Sequence, residues 1–478
     1  MVILSKVLSS ETLLVDMEAI VGKENVTNDI YNRIAYAMDP MPYDLKEQNI
    51  PSIVVKPNSA QEVSEILKYA NKTKTPVSVT GSGTSFSAAS RPKRRGSIIM
   101  NTGRMDSIEL HEDSAYVECG AGTIVYDFEQ FLLSHGYFAP FNPGSKMIAT
   151  MGGLSSINTI GHMVDAYVGK PVDHILGVEV VLPTGEIIET GTKSVRRPSG
   201  FDLTRFFVGT EGQLGIITRL RMHLIPKPAI VYALGYYEQA EDVAEAFMRI
   251  YTEKAPLPLY GEFLDKVVAK IGTDAKGLPP PKGCMALASV PGRTHDIALR
   301  NAQEISKVFK ETKGHIENQI VEDPDLQQRL WGVRESILML MSKGKGPWTA
   351  IEIGVEISHL RNCLHELKSE VPKRLNILKD VPMYLYGHLG AGSMHALWTL
   401  PRGWSNEKKR EAVKEAFNVE KELTIKYNGC GGELGQVAGR IPFFREKYGE
   451  DAYSLILRMK KAFDPNNILN PGNLEGSM

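Results

Sequence analysis

At 478 residues the chain is roughly three times the length of an average domain of about 150, so two or three hydrophobic cores are expected. Apolar residues make up 42% and charged residues 23%, which excludes wholesale disorder and rod-like repeats. Lys plus Arg total 55 against 56 for Asp plus Glu, and a net charge of -1 provides no global field for drawing in nucleic acid.

The four cysteines, Cys119, Cys284, Cys363 and Cys430, lie far apart and form no C-x-x-C pair. Neither a disulfide framework nor a zinc knuckle is suggested, and the pattern fits a reducing, cytoplasmic setting. The first residues carry Glu11, Asp16 and Glu18 and lack a long apolar stretch, which argues against a secretory signal. The longest uncharged run, 147–164, has the length of a membrane span, but Gly, Ser, Thr and Asn fill nearly half of it and it reads as buried loop.

In chain order, residues 1–46 read as an N-terminal helical segment. Ile53–Val55 predicts a strand, Val63, Ile66, Leu67 and Ala70 mark one face of a helix, and Pro76–Thr80 predicts a second strand. Ser59 followed by Glu62 is a capping-box signature for that helix. Strands are expected at 97–101 and 115–119, and a helix over 123–134 closing before Gly136. A strand over 176–182 turns at Pro183–Gly185 and returns over 186–190 as a hairpin. Arg219, Arg221 and His223 alternate with Leu220, Met222 and Leu224, the period of a sheet with one wet face. Pro226 and Pro228 then mark the boundary of a first domain, 47–228. Beyond it, helices over 239–253, 295–312, 323–343 and 357–371 interleave with strands near 231–237, 284–290, 315–321, 348–356 and 381–386. A helix over 405–427 completes a second α+β domain, 229–427, and 428–478 forms a C-terminal segment. No tandem repeat is visible.

Three glycine-rich stretches stand out in the first domain. Thr80-Gly-Ser-Gly-Thr-Ser-Phe86 follows a strand, and its glycines permit close backbone approach to phosphate oxygens. No helix follows directly, so it is not a Rossmann fingerprint. Asn142-Pro-Gly-Ser145 with Ala149 to Asn158 is the second, and Phe207-Val-Gly-Thr-Glu-Gly-Gln-Leu-Gly-Ile-Ile217 the third. Each alone is compatible with an ordinary turn; together they fit a long, extended cofactor. In the second domain, Tyr386-Gly-His-Leu-Gly-Ala-Gly-Ser-Met-His395 sets two imidazoles seven residues apart, and Glu433 offers a carboxylate. Such a set suits Zn, Fe or Mn, though spacing alone favours two structural histidines.

These motifs, with the closing Ile-Leu-Asn-Pro-Gly472, resemble the FAD-linked oxidases of the vanillyl-alcohol oxidase superfamily, and within it the D-lactate, glycolate and 2-hydroxyglutarate dehydrogenases. The resemblance implies an α+β fold: a two-subdomain FAD-binding domain with an inserted ferredoxin-like α+β cap, and the flavin where they meet. It implies that Gly81, Ser82, Gly83, Thr84 and Ser85 hold the FAD pyrophosphate. Pro143, Gly144, Ser145, Thr150, Gly152 and Gly153 would line the flavin and its ribityl chain. Glu211 and Ile217 would lie near the adenosine end, and Asn470 would return from the C-terminus to the flavin. Thr84 stands where some relatives carry a flavin-linking histidine, so the FAD is expected to be non-covalent. The same resemblance makes His388, His395 and Glu433 ligands of a divalent metal, and aims Arg334 at the substrate carboxylate, a task that suits a planar guanidinium.

The chain also departs from the pattern. Ala391, Ser393 and Leu434 replace an Asp, an Asn and a His of the relatives, and that last His is their proposed base. The chain must therefore use another acceptor of the hydroxyl proton, with His162 and Tyr386 as candidates, lean on the metal, or do different chemistry. No lysine near Thr349–Glu352 serves a second carboxylate, which favours a small 2-hydroxy monocarboxylate such as D-lactate or glycolate. The basic run Arg91–Arg95 reads as a solvated loop. No nicotinamide fingerprint, cysteine cluster or haem site is present, so electrons are expected to pass to an electron-transfer flavoprotein or iron-sulfur partner. Two other classes stay open: a flavin-bearing electron-transfer or assembly subunit, and a phenol or alcohol oxidase.

Overall fold

The computed structural model describes residues 2–39, 45–86, 88–159, 161–194, 200–342, 346–431 and 441–475. By its internal contacts the chain forms two units: 1–160, 170–226 and 434–478 in the first, 161–169 and 227–433 in the second. The short segment 161–169 thus leaves its sequence neighbours in the first unit. Val164 N donates to Leu259 O at 2.9 Å, and Met163 forms a bridge with Tyr260.

In the first unit the strand–helix–strand expectation is met by Ile53–Val55, Ala60–Thr73 and Val77–Thr80. Ser59 Oγ accepts from Glu62 N, while the Glu62 carboxylate reaches one residue further back, to Asn58 N at 2.7 Å. The helix buries Val63, Ile66, Leu67 and Ala70 against Ile53, Val55 and Val77, with Leu13 and Met17 of the helix Val2–Val21 on the same core. Each fully buried aliphatic of this kind contributes about 1.5–3 kcal/mol relative to exposure. Ile53–Val55, Ile98–Asn101 and Val77–Thr80 pair in parallel, and Val26–Thr27 adds an antiparallel edge. The C-terminal tail joins this core: Val77 N donates to Ile468 O at 2.7 Å and Asn470 N to Val77 O at 2.8 Å.

A second, antiparallel sheet runs in the order Ile108–His111, Tyr116–Gly120, Ile216–His223, Ile175–Val181, Ile187–Glu189. The hairpin at 183–185 is as expected, with Val181 opposite Ile187. The expected wet face is drier than its sequence: Arg221 is buried, because its guanidinium bonds Glu118 Oε1 at 2.7 Å and lies over the Tyr116 ring.

The second unit holds one eight-stranded antiparallel sheet. Its first half runs His315–Val321, Ala229–Tyr237, Cys284–Gly292, Tyr260–Leu264, a ferredoxin-like order with the helices Ala240–Thr252 and His295–Glu311 as connections. The other half, Met383–Gly387, Ser393–Thr399, Trp348–Gly354, Cys430–Gly431, is a second ferredoxin-like set, joined where Phe263 pairs with Gly387. The cap is thus a structural repeat that the sequence does not display. The helix expected over 323–343 is two, Pro324–Glu335 and Ile337–Ser342, because the Ser336 hydroxyl donates back to Gly332 O at 2.6 Å and ends the first. No helix among the described residues is long and apolar enough to cross a membrane.

Candidate functional site

In the first unit, the loop after Val77–Thr80 opens onto a cleft of about 530 Å³. Thr80, Gly81, Ser82, Gly83, Thr123 and Thr150 line it, and Asn101 fixes the loop by donating to Gly81 O at 2.7 Å. A Cβ at Gly81 would stand 2.1 Å from Thr150 Oγ1, so Thr150 would have to shift to admit any side chain there. Thr150 is thereby pressed against the loop while its hydroxyl caps the next helix at Gly153 N. The cleft's size falls in the range of cofactor sites. A cradle in which only backbone fits beside Thr150 suits the close approach that FAD needs.

The other expected cofactor residues are placed as follows. Thr84 and Ser85 continue the loop but do not line the cleft. Pro143, Gly144 and Ser145 form a turn, in which Pro143 O accepts from Lys146 N, and Gly152 and Gly153 lie in the helix Met151–Ile157. Asn470 ties together the tail, the first sheet and the 209–213 loop: its side chain accepts from Val79 N and donates to Glu211 O and Gly212 O, each at 3.1 Å. Ile217 is buried in the second sheet. Ala35 and Tyr36, at the end of the helix Ile30–Tyr36, and Met38 just beyond it also border the cleft, unsignalled in the sequence because they lie far from the glycine motifs.

In the second unit a buried polar cluster forms around Glu262, in the strand Tyr260–Leu264, which is wholly inaccessible to solvent. Its Oε2 accepts from Arg334 Nε at 2.6 Å and its Oε1 lies 2.7 Å from His388 Nδ1. Arg334 Nη2 is 3.1 Å from His388 Nε2. A guanidinium only donates, so His388 accepts at Nε2 and carries its proton on Nδ1, toward the carboxylate. The local chain makes this possible: the strand Met383–Gly387 ends at His388, and the following turn passes so close to Tyr260–Leu264 that a Cβ on Gly261 would sit 2.6 Å from Gly390 Cα.

His162 and His395 flank His388, with ring centroids 4.9 and 5.2 Å away and both contacts edge-on. His162 Nδ1 is 3.8 Å from Glu262 Oε1 and His395 Nδ1 is 3.7 Å from Glu352 Oε1; neither nitrogen has a hydrogen-bond partner among the described residues. Burial first, then the neighbouring Arg334 charge and the repulsion from any second imidazolium at His388, hold the pKa of His162 well below the usual imidazole range. The same causes lower His395, and burial with Arg334 lowers His388, so all three rings are neutral. Arg334 stacks over Tyr386, its guanidinium carbon 4.9 Å from the ring centroid, and Tyr386 in turn packs on His395. Tyr260 and Trp331 form a half-buried aromatic pair beside His162.

Arg334, His388, His395, His162 and Tyr386 are therefore brought together. Glu433 and Leu434 lie outside the described residues. The sequence reading missed Glu262, Glu352, Tyr260 and Trp331. The signal for Glu262 was one acid inside the apolar run Leu259–Leu264, where a strand buried on both faces has to pair its charge.

Family models match most of the chain: one described as an FAD binding domain over residues 51–191, and one described as FAD linked oxidases, C-terminal domain, over 226–474. The chain is 29% identical over 461 residues to glycolate oxidase subunit GlcD of Bacillus subtilis (strain 168), covering 95% of this chain and 94% of that protein. It is 28% identical over 461 residues to the mitochondrial D-lactate dehydrogenase (cytochrome) of Arabidopsis thaliana, covering 95% and 78%. The solved structure of p-cresol methylhydroxylase with substrate bound shares the fold, with a TM-score of 0.78 at 19% identity over 99% of this chain and 97% of that one.

Proposed function

The chain belongs to the FAD-linked oxidases, with the vanillyl-alcohol oxidase type of fold, and on that premise we propose that it is a dehydrogenase of a small 2-hydroxy monocarboxylate of the D-lactate or glycolate type. The observation that carries this reading is the buried Arg334 guanidinium among three neutral imidazoles, a site for a carboxylate next to acceptors for a hydroxyl proton. The curated relatives named for glycolate and D-lactate support it.

Arg334 takes the substrate carboxylate through guanidinium N–H groups that Glu262 does not use, while Glu262 holds the fork and Tyr386 supports its face. A neutral imidazole takes the hydroxyl proton. His395 suits that role, since its Nδ1 faces the Glu352 carboxylate, which stabilises the imidazolium that forms. Glu352 also disfavours a second substrate carboxylate beside it, in keeping with a monocarboxylate. FAD, which Gly81, Ser82, Gly83 and Thr150 would hold, would supply the acceptor for the hydride of the substrate Cα. His162, Glu262 and His388, whose ligand atoms lie within 4.8 Å of one another, fit a divalent cation, which would supply Lewis-acid polarisation of the hydroxyl. Electrons then leave to an external acceptor, an electron-transfer flavoprotein or iron-sulfur partner.

Turnover of a panel of hydroxy acids with an artificial dye as acceptor tests this. D-lactate or glycolate is expected to be oxidised, and Arg334→Lys, which keeps the charge but loses the fork, to raise KM far more than it lowers kcat. Turnover of phenols and of no hydroxy acid would overturn it.

A further inference from the structure

The tail that follows the helix Ile441–Phe463 brackets the glycine-rich loop after Val77–Thr80 at both of its ends. Ahead of the loop, Asn470 N donates to Val77 O at 2.8 Å and the Asn470 side-chain oxygen accepts from Val79 N at 3.1 Å. Beyond it, Asn473 Nδ2 donates to Ala89 O at 2.8 Å, beside Ala88, whose φ of 55° lies in the left-handed region. The bracket is itself firmly held. The ammonium of the buried Lys460 bonds Gln213 O, Leu469 O and the Asp464 carboxylate at 2.7–2.9 Å, and Asp464 accepts in turn from Ile468 N and Leu469 N. Tyr453 donates to Leu474 O at 2.7 Å, and Arg94, from the basic run, pairs with Glu475 at 2.9 Å.

One side-chain atom of the two bracketing asparagines is left over. Asn470 spends both amide protons on Glu211 O and Gly212 O and its oxygen on Val79 N, so the protein itself occupies that side chain. Asn473, 1% exposed, uses its amide nitrogen on Ala89 O, but its Oδ1 is buried and has no hydrogen-bond partner among the described residues. The orientation of this amide is fixed, because a carbonyl oxygen only accepts and the atom facing Ala89 O has to be nitrogen. A buried acceptor without a donor is costly, and native proteins keep few of them. Oδ1 is therefore an acceptor held in place and shielded from solvent, on the segment that closes the glycine-rich loop.

We propose that Asn473 Oδ1 accepts a hydrogen bond from an N–H or O–H group of FAD, and that Asn473, rather than Asn470, is the residue through which the tail touches the cofactor. The proposal rests on the reading of the Gly81–Gly83 cradle as an FAD site and is independent of the substrate. An amide oxygen repels the oxygens of a pyrophosphate, which has no proton to offer at neutral pH, so the pyrophosphate faces the backbone of the loop and Asn473 meets a donor to one side of it. The isoalloxazine imide and the ribityl hydroxyls supply such donors on the flavin half, and the ribose hydroxyls and adenine amine supply them on the other.

The test titrates FAD into the full chain stripped of flavin, followed by flavin fluorescence. Asn473→Leu, an apolar replacement of similar size, is expected to bind FAD roughly tenfold more weakly, the worth of one buried hydrogen bond. Competition of FAD by FMN and by ADP then locates the donor: a direct contact weakens one of the two fragments in the variant and spares the other. Asn473→Ala, which brings no bulk of its own, is expected to repeat the selective loss, and circular dichroism of both flavin-free variants is expected to match wild type. FAD affinity unchanged in both variants would mean that Oδ1 meets a buried water instead and would overturn the proposal. Equal weakening of FMN and ADP would mean that the tail only holds the loop, and would overturn it too. A wild-type chain that binds no FAD at all would reject the cofactor reading itself.

Discussion

Removing either partner of the Glu262–Arg334 pair leaves the other stranded in the interior. Glu262 is wholly buried and the Arg334 side chain is 6% exposed, so solvent cannot repair the loss. Glu262→Leu leaves a guanidinium with one imidazole acceptor, and Arg334→Met leaves a carboxylate with one imidazole donor. Breaking a buried pair from one side costs about 3–5 kcal/mol, whereas replacing both partners with apolar residues of similar volume is close to neutral. The double variant is therefore expected to be more stable than either single one. Native-state hydrogen exchange of the peptide 259–265 reads this locally: at 1.4 kcal/mol per tenfold, each single change lowers protection by roughly two to three and a half powers of ten. Costs that add to within about 0.5 kcal/mol in the double variant would refute the reasoning, because they would mean that the two groups do not interact.

Gly81→Ala is expected to abolish FAD retention, since its Cβ would displace Thr150 Oγ1 from 2.1 Å; an unchanged flavin-to-protein absorbance ratio after purification would contradict the cradle. Truncating Arg334 to Ala removes charge-assisted hydrogen bonds worth about 1.5–3 kcal/mol each, so kcat/KM for the best hydroxy acid should fall by at least tenfold, and steady-state kinetics with no loss would exclude it as the anchor. Burial alone would raise the Glu241 carboxyl, but hydrogen bonds from Lys368 at 2.9 Å and His365 at 3.0 Å more than offset that and hold it at about 2, against an ordinary 4.5. Its folded pKa lies below the unfolded one, so its stabilisation is present above pH 4.5 and is lost as pH falls toward 2. Lys368→Met should move the acid transition followed by circular dichroism to higher pH; an unmoved midpoint would count against this pairing.

Local chemistry made much of the fold legible. Ser59 and the helical spacing from Val63 to Ala70 each act over a few residues, and the structure places a capped helix there. The convergence of His388 and His395 was legible for the same reason, because a tight glycine turn returns the chain and sets His395 opposite Tyr386. What escaped depends on distant pairing. Arg221 is dry only because Glu118, 103 positions away, accepts its guanidinium. His162 enters the cluster because its segment pairs with Leu259 and Tyr260, a partnership that no periodicity announces. The doubled ferredoxin-like cap is likewise a relation between strand orders, which survives without any repeated sequence.

Anaerobic rapid mixing of the FAD-loaded protein with D-lactate, glycolate and D-2-hydroxyglutarate, followed by the oxidised-flavin absorption, tests the central claim most directly. The account predicts bleaching by a monocarboxylate, slower when the Cα hydrogen is deuterium and at least tenfold less efficient in Arg334→Ala. Flavin that stays oxidised with every acid, or that bleaches equally well in Arg334→Ala, would contradict it.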